Sequence, residues 1–359
     1  MKILLLGEYS AFHKNLKEGL QVLGHSVVLA GSSDGFKKIP VDLSFDSGLP
    51  RPFGPLHRIV NHFAALPKLR GFDVVQAINP FILHRFAPVK SFFRRVARQN
   101  ASFYLVAAGD DAYYWQKARF RLRYGPFDDC LTYDLKSPRS IYSGRRALAI
   151  NDSVLEDASG VIPVMYDYEV GYRDHPKRLK TIPLPMNIDA VKWRENRVQD
   201  RLVVMHGLNR YGYKGTRHVE AAFEILRKKY PADLDLVIAG GMPLPAYLEL
   251  MDRTNVVIDQ TSSYSLGMNG VYAMAMGKVV IGGAEPESLQ SLGVQSSPVI
   301  NVLPSADSVV QAVERVLEAR HRLADWGVES REMAERVHGH VRVATSYLQA
   351  WQGGSLVGP

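Results

Sequence analysis

The feature that most narrows the fold is an alternation. Short β-branched apolar runs ending in glycine or a polar residue take turns with longer segments of helical spacing. "KILLLG" (2–7) precedes "HKNLKEGLQVLGHSV", where Leu16, Leu20 and Leu23 recur at helical spacing and Gly24 ends the pattern. "SVVLAG" (26–31) follows. Two strands joined through a helix lie parallel, so this is a β-α-β unit. The alternation continues through "DVVQAIN" (73–79), a helical stretch ending at Arg98, "SFYLVAAG" (102–109), a helix over 144–157, "GVIPVMY" (160–166) and "KTIPLPMN" (180–187). The prolines of the last run suit an edge or an exit rather than a central strand. Residues 112–140 are aromatic and basic and follow neither period.

A polar stretch, "NIDAVKWRENRVQD" (187–200), reads as a linker. A second alternation then begins with "RLVVMHGL" (201–208), the amphipathic "TRHVEAAFEILRKKY" (216–230), "LDLVIAGG" (234–241), a helix over 245–254 and "NVVIDQ" (255–260). "SSYSLGMNGVYAMAMGKVVIGG" (262–283) reads as turn, helix, turn and strand. "PVINVL" (298–303), a helix capped by Ser305 and a helical stretch over 328–351 complete it. With 359 residues the chain exceeds what one core usually serves. The expected fold class is α/β, with two Rossmann-like doubly wound parallel-sheet domains facing across a cleft. The expected division is 1–190, 191–335, a helix at 336–352 packing back on the first domain, and an unstructured tail at 353–359. In such sheets ligands bind outside the carboxyl ends of the strands.

Composition excludes some classes. Hydrophobic residues make up 46% and charged residues 22%, an ordinary soluble balance. The single cysteine, Cys130, allows no intramolecular disulfide and reads as structural, in keeping with a reducing compartment. No Cys/His cluster has zinc-ligand spacing, so no metal is expected. The opening "MKILLLGEYS" does not read as a signal peptide, and no run reaches the ~18 apolar residues of a membrane span. A cytoplasmic location is expected, with at most peripheral attachment at the inner face of a membrane.

The net charge is +8, which points to anionic partners. Nine Lys/Arg lie between His84 and Tyr124, opposed only by Asp110 and Asp111. Within that stretch "VKSFFRRVAR" (89–98) places Val89, Phe92, Phe93 and Val96 on one helical side, a pattern shared by interfacial helices and ordinary surface helices. An anionic membrane surface meeting 84–124 is therefore a candidate partner. Nucleic acid is not expected, because no recognised binding motif appears.

Four places carry candidate chemistry. "GLNRYGYKGT" (207–216) sets Arg210 and Lys214 on a glycine-rich loop before a helix, where backbone N–H groups and cations favour a phosphate or diphosphate. It is not a Walker loop. In 262–283, Gly267, Met268, Asn269 and Gly270 form the first helical turn, with Ser265 as a candidate N-cap. The body of that helix is apolar all round and reads as buried, so the glycines are what need explaining. "GEYSAFH" (7–13) lacks the dinucleotide fingerprint, which disfavours a dehydrogenase. Its His13 is a candidate for the cleft or for packing. "AAGDDAYYW" sets Asp110 and Asp111 at the carboxyl end of a strand, suited equally to a base and to helix capping.

Taken in order, these segments resemble the GT-B glycosyltransferases, specifically the family 4-like ones, over about residues 1–350. "MKILLLGEYSAFHKNLKEGLQVLGHSVVLA" resembles their first β-α-β unit and "DVVQAINPF" their acceptor-domain strand and Asn-Pro turn. "VVMHGLNRYGYKGT" resembles the loop that opens their donor domain, and "YSLGMNGVYAMAMGKVVIGG" their Glu-x7-Glu segment. The resemblance implies transfer of a sugar from a nucleotide diphosphate donor, metal-independent and retaining. It implies no cofactor, the nucleotide-sugar being a substrate. By position Arg210, Lys214, Gly267, Met268 and Asn269 would meet the donor diphosphate. Tyr264, Ser265 and Tyr272 would lie at the donor sugar or ribose, and Gly7 and Ser10 would form the glycine loop of the first domain. His13 and Asp110 would stand on the acceptor side as the catalytic pair. The family's two glutamates fall on Tyr264 and Tyr272, and a phenol cannot give a ribose the two-oxygen grip of a carboxylate. The stretch 242–255 is also shorter than the family's base-binding unit.

The function expected is therefore glycosyl transfer to a glycan or lipid-linked acceptor, in cell-surface polysaccharide or glycan assembly. The alternative is a catalytically inactive GT-B protein that binds a sugar nucleotide or a partner without turnover.

Overall fold

The structure, a computed structural model, describes residues 1–34, 38–50, 53–83, 87–133, 139–208, 211–242 and 244–353. The chain forms two compact units. One comprises Met1–Arg121, Pro138–Asn187 and His340–Pro359; the other comprises Leu122–Ser137 and Ile188–Gly339. Both are parallel-sheet α/β units.

The first unit is built on six parallel strands: β1 (Lys2–Leu6), β2 (Ser26–Gly31), β3 (Leu43–Ser44), β4 (Val74–Ala77), β5 (Phe103–Ala107) and β6 (Gly160–Pro163), in the order β3-β2-β1-β4-β5-β6. Leu4 pairs with Val28 on one side and Val75 on the other. Ile3, Leu4, Leu5 and Leu6 are all fully buried, so helices cover both faces of β1. That is why "KILLL" shows no polar alternation. The strand order reverses between β1 and β4, and the carboxyl ends of these two strands form the switch point where ligands of such sheets sit.

In chain order the helices of this half are α1 (Phe12–Val22), α2 (Phe53–Ala64), α3 (Val89–Arg98) and α4 (Ala112–Gln116), then α5 (Pro126–Thr132), which the second unit takes, then α6 (Arg139–Tyr142), α7 (Arg145–Asp157) and α8 (Tyr166–Gly171). The apolar side of α3 is spent inside the unit: Phe92, Phe93 and Val96 are fully buried in its core. Its cations turn to α7, with Lys90 at 3.6 Å from Glu156 and Arg94 at 3.6 Å from Asp157. This overturns the reading of 89–98 as an interfacial helix, because the face that would enter a lipid surface packs on the sheet. Phe86 and the cation Arg85 of the same basic stretch lie outside the described residues.

The run 180–187 also differs from expectation. It is extended but makes no ladder; Leu179 N–H donates to Val161 O at 2.8 Å and Ile182 N–H to Pro163 O at 2.9 Å. Pro183 and Pro185 lack the N–H groups that further pairing needs. The helical stretch expected over 328–351 is broken. A π-turn spans Ala334–His338, Gly339 is non-helical, and a terminal helix runs His340–Trp351. That helix lies against α1: a Cβ on Gly19 would meet His340 O at 2.3 Å, so the backbones touch there. The expected tail is described only to Gly353; 354–359 lie outside.

The second unit holds five parallel strands, β7 (Leu202–Gly207), β8 (Leu234–Ala239), β9 (Val256–Ile258), β10 (Val279–Gly282) and β11 (Ile300–Asn301), in the order β11-β10-β9-β7-β8. Its helices are α9 (Thr216–Lys229), α10 (Leu244–Arg253), α11 (Met268–Ala275), α12 (Pro286–Ser291), α13 (Ala306–Glu318) and α14 (Leu323–Met333). Ser305 caps α13, its Oγ accepting from Ser308 N–H at 3.1 Å. Val204, Phe223, Ile258 and Val313 meet in the core.

The segment 122–133 is the departure from a simple serial arrangement. It comes from the first half of the sequence and packs in the second unit as a strap. The stretch that followed neither period belongs partly to a different core.

Candidate functional site

The carboxyl edge of the second sheet gathers the glycine loop and the start of α11. The loop ends at Gly215, which caps α9 in the left-handed region at φ +67°. A Cβ there would meet Thr261 Oγ1 at 2.1 Å and Ser262 Oγ at 2.6 Å, so glycine is needed for both conformation and space. Arg210 lies outside the described residues.

Lys214 reaches inward from this loop. Its Nζ donates to Asp259 Oδ1 at 2.9 Å, and Asp259 Oδ2 accepts from Gly267 N–H at 2.7 Å. Asp259 follows β9 and its side chain is fully buried. Burial opposes its charge, but the Lys214 ammonium and the Gly267 N–H outweigh that and hold its carboxyl below the usual carboxylate range. Beneath the pair, His206 of β7 donates from Nδ1 to Ile258 O at 2.9 Å and accepts at Nε2 from Thr216 Oγ1 at 3.0 Å. Burial and the nearby Lys214 lower His206 to about 4, so the ring is neutral at physiological pH.

Asp259 accounts for Gly270. A Cβ on Gly270 would lie 2.9 Å from Asp259 Oδ2, whereas one on Gly267 would make ordinary contact with it at 3.4 Å. The first turn lacks a side chain at Gly270 because a carboxylate of the same chain stands against it. Gly267 is the N-cap, with extended φ and ψ and no side-chain cap. Ser265 is not the cap: it is buried, and its Oγ pairs with Ser288 Oγ at 2.7 Å. Capping is done from another element, by Asp259.

The N–H groups of Met268, Asn269 and Gly270 belong to the first turn and have no intrahelical acceptor. Gly267, Met268 and Asn269 are part-exposed there. Asn269 Oδ1 accepts from the Tyr247 hydroxyl, and its buried Nδ2 has no hydrogen-bond partner. With two further protons on Lys214 Nζ, the edge offers donors to an anion. Tyr272 sits on the second turn of α11, part-exposed, with burial raising its phenol.

Tyr264 faces elsewhere. It is buried, and its hydroxyl accepts from Arg123 N–H at 2.9 Å and from Arg123 Nε at 3.0 Å. Tyr124 stacks on it with ring centroids 4.8 Å apart. Glu285 completes the latch: it accepts from Arg123 Nη2 at 2.5 Å, Tyr124 Oη at 2.9 Å and Asn301 Nδ2 at 2.7 Å. The tyrosine at the position of the family's first glutamate thus fastens the strap. Farther along, Cys130 of α5 is buried, with Sγ 3.9 Å from Gly212 O, and Arg217 lies over the Tyr133 ring. The strap therefore packs on the glycine loop.

In the first unit the carboxyl edge is formed by Gly7, Glu8, Ser10, Asn79, Gly109 and Asp110. Gly7 adopts φ +87°, and Ser10 and Ala11 are left-handed at φ 54° and 65°, with Ser10 N–H donating to Asp34 Oδ2 at 2.8 Å. His13 is fully buried. Its Nδ1 donates to Gly7 O at 2.6 Å, its Nε2 accepts from Gln76 Nε2 at 3.2 Å, and Gln76 Oε1 accepts from Trp351 Nε1 at 3.2 Å. Burial lowers His13 to about 4. Both nitrogens are committed, and the ring ties β1, β4 and the terminal helix together. Asp110 is part-exposed, with Oδ1 accepting from Trp115 Nε1 at 3.3 Å. Asp111 caps α4 through Tyr114 N–H at 2.7 Å and takes the Tyr172 hydroxyl at 2.5 Å; burial lifts it to about 6.

Glu8 was not singled out from sequence. Its Oε2 accepts from Lys14 N–H at 2.8 Å, while the buried Oε1 has no hydrogen-bond partner. Burial lifts its carboxyl to about 7, the Lys14 N–H opposing and Asp34 adding. The position at the carboxyl end of β1 was legible; burial was not. Asp259 was likewise visible as an acid closing "VVID", without a sign that it faces the lysine. Among the described residues, no three His, Cys, Asp or Glu side chains gather as a metal site, and no helix is long and apolar enough to cross a membrane.

No protein-family profile matches the chain, and no curated protein matches it. Solved structures do. Sucrose-phosphate synthase (tll1590) from Thermosynechococcus elongatus is similar at 16% identity and TM-score 0.66, over 98% of each chain. Anabaena Alr3699/HepE in complex with UDP and glucose is similar at 14% identity and TM-score 0.64, over 98% of this chain and 99% of that one. UDP-GlcNAc 2-epimerase from Neisseria meningitidis bound to UDP-GlcNAc is similar at 12% identity and TM-score 0.57, over 99% and 100%. The fold is that of the GT-B glycosyltransferases. At these identities the likeness speaks for the fold alone.

Proposed function

We propose that this protein is a glycosyltransferase that moves a sugar from a nucleoside diphosphate-sugar to a glycan or lipid-linked acceptor. The observation that carries the reading is the Lys214–Asp259–Gly267 assembly at the carboxyl edge of the second sheet. It presents an ammonium and a helix start on one rigid support. The departing diphosphate is stabilised there by Lys214 Nζ and the N–H groups of Met268, Asn269 and Gly270, donors fixed where negative charge develops. Asp259 stays ionised and holds both donor elements in place, so they need no reorganisation as the bond breaks. Arg210, four residues before Lys214 in sequence, would add a second cation, and Tyr272 lies one helical turn on for the sugar or ribose. The transfer proceeds with retention and without a metal, as the family resemblance implies. Work at the cytoplasmic face in surface-glycan assembly fits the same resemblance.

On the acceptor side the reading shifts from His13 to Asp110 and Glu8. A buried neutral imidazole with both nitrogens bonded cannot take a proton from an acceptor hydroxyl. Asp110 is part-exposed at the right edge of the first sheet.

A second reading is sugar-nucleotide binding without transfer. It is favoured by the commitment of Tyr264 to the strap and of Lys214 and Gly267 to Asp259. The test is release of nucleoside diphosphate from a panel of UDP-, GDP- and ADP-sugars, alone and with glycan acceptors, followed by mass spectrometry. Release that vanishes in Lys214→Ala supports the enzyme. Calorimetric binding with no release under any acceptor supports the binder. Neither release nor binding removes both.

A further inference from the structure

With the aromatic side of α3 buried, the exposed apolar surface of the first unit lies on a different helix. On α2, Phe53, Leu56 and Val60 are 65%, 62% and 54% exposed, and Leu49 just before it is 49% exposed. Spacings of three and four residues put Phe53, Leu56 and Val60 on one face, and exposed Ala64 extends the same line. Ile59 and Phe63, at the edge of this line, pack against the core, and Gly54 and His62 are buried, so the helix is docked and the stripe is its uncovered side. No other described helix shows three large apolar side chains on one exposed face.

The charge around the stripe selects what can cover it. Residues 47–72 contain four Lys/Arg and no Asp or Glu; the exposed Asp46 and Asp73 bound the stretch, and Arg58 acts on Asp46 through its charge, so the surround is net cationic. Of these cations Arg58, Lys68 and Arg70 are described, all three are exposed, and none forms an ion pair among the described residues. A two-fold contact with a second copy would set the same cations against each other. An anionic lipid surface takes both features at once: apolar side chains enter the headgroup and acyl boundary while cations meet phosphates.

We propose that the exposed face of α2, Phe53–Leu56–Val60 flanked by Arg58, Lys68 and Arg70, seats the protein on an anionic phospholipid surface. The inference does not depend on the donor site, and its test contains no nucleotide. Full-length protein is sedimented with vesicles of phosphatidylglycerol and phosphatidylcholine, or of phosphatidylcholine alone. Binding is expected to the anionic vesicles only. A triple variant Phe53→Ser, Leu56→Ser, Val60→Ser and a charge variant Arg58→Gln, Lys68→Gln, Arg70→Gln should each weaken it by about tenfold or more. Both sets are exposed, so the melting temperature should hold, and it is measured alongside. Reversing Arg94 and Arg95 on α3 should weaken binding less than either set. The proposal is overturned if the triple variant binds as wild type, or if phosphatidylcholine alone binds equally. It is also overturned if light scattering shows a wild-type dimer that the triple variant abolishes, since a second copy would then cover the face.

Discussion

Replacing Gly270 by alanine tests the arrangement at the helix start through its sign. In an ordinary helix the change stabilises by about 0.5–1 kcal/mol, because alanine loses less backbone entropy. Here the new Cβ would stand 2.9 Å from Asp259 Oδ2, 3.1 Å from Leu266 Cδ2 and 3.2 Å from Asp259 Cγ. The carboxylate cannot retreat freely, since Oδ1 holds Lys214 at 2.9 Å and Oδ2 holds Gly267 N–H at 2.7 Å. Overpacking of this kind costs about 1–3 kcal/mol, and expelling one member of a buried ion pair costs about 3–5 kcal/mol. The net expectation is a loss of about 1–3 kcal/mol, a melting temperature lower by roughly 3–9 °C for a unit of this size. Circular dichroism melts compare it with Gly48→Ala, where a Cβ meets nothing within 4 Å and a gain of at most about 1 kcal/mol is expected. Nucleoside diphosphate affinity should fall with it, because Lys214 and the helix start move. A Gly270→Ala protein that melts at or above wild type would refute the placement of Asp259 beneath the helix.

Three further predictions follow from buried charge and from the strap. Glu8 is lifted to about 7 by burial, so the folded state holds its proton more tightly than the unfolded chain. Its contribution is full below pH 4.5 and is lost as pH rises through 7. Glu8→Gln should therefore raise stability at pH 8 by about 3 kcal/mol relative to wild type and change it little at pH 4, read from urea melts at both pH values; equal effects at the two would contradict the shift. His13 and His206, both lowered to about 4, act in the opposite sense, their stability being present above pH 6.5 and lost as pH falls toward 4. A His13→Gln protein should show a weaker acid-side loss of stability, and an unchanged acid limb would count against a buried neutral ring. Glu285→Ala should unfasten the strap by removing the acceptor of Arg123, Tyr124 and Asn301. Its readout is the sole cysteine: Cys130 is buried, so a thiol reagent should label wild type slowly and this variant at least about tenfold faster. Fast labelling of the wild type would mean the strap is not seated.

Much of the fold was legible because parallel strands buried on both faces read as unbroken apolar runs. "KILLL" and "VVI" needed no tertiary knowledge. The runs that failed were those where local chemistry competed with pattern: two prolines in 180–187 remove ladder donors, and Gly339 breaks the last helical stretch. The glycine loop and the helix start were found as positions, but their internal partner was not. Asp259 is an acid after a strand, and only the folded chain shows it against Lys214. Tyr264 was marked as a departure from the family, yet its partner Arg123 lies 141 residues away in sequence. His13 shows the reverse limit, since a histidine near a strand end looks the same in sequence whether it faces solvent or Gln76. The amphipathic patterns of α2 and α3 are alike in kind; packing decides which side each helix keeps for the core.

The most direct test of the central claim is calorimetric titration of UDP, GDP and ADP into the wild-type protein and into Lys214→Ala. The account predicts that at least one diphosphate binds, and that losing the lysine weakens it by about tenfold or more while the melting temperature stays within a few degrees. An affinity unchanged by Lys214→Ala would contradict it.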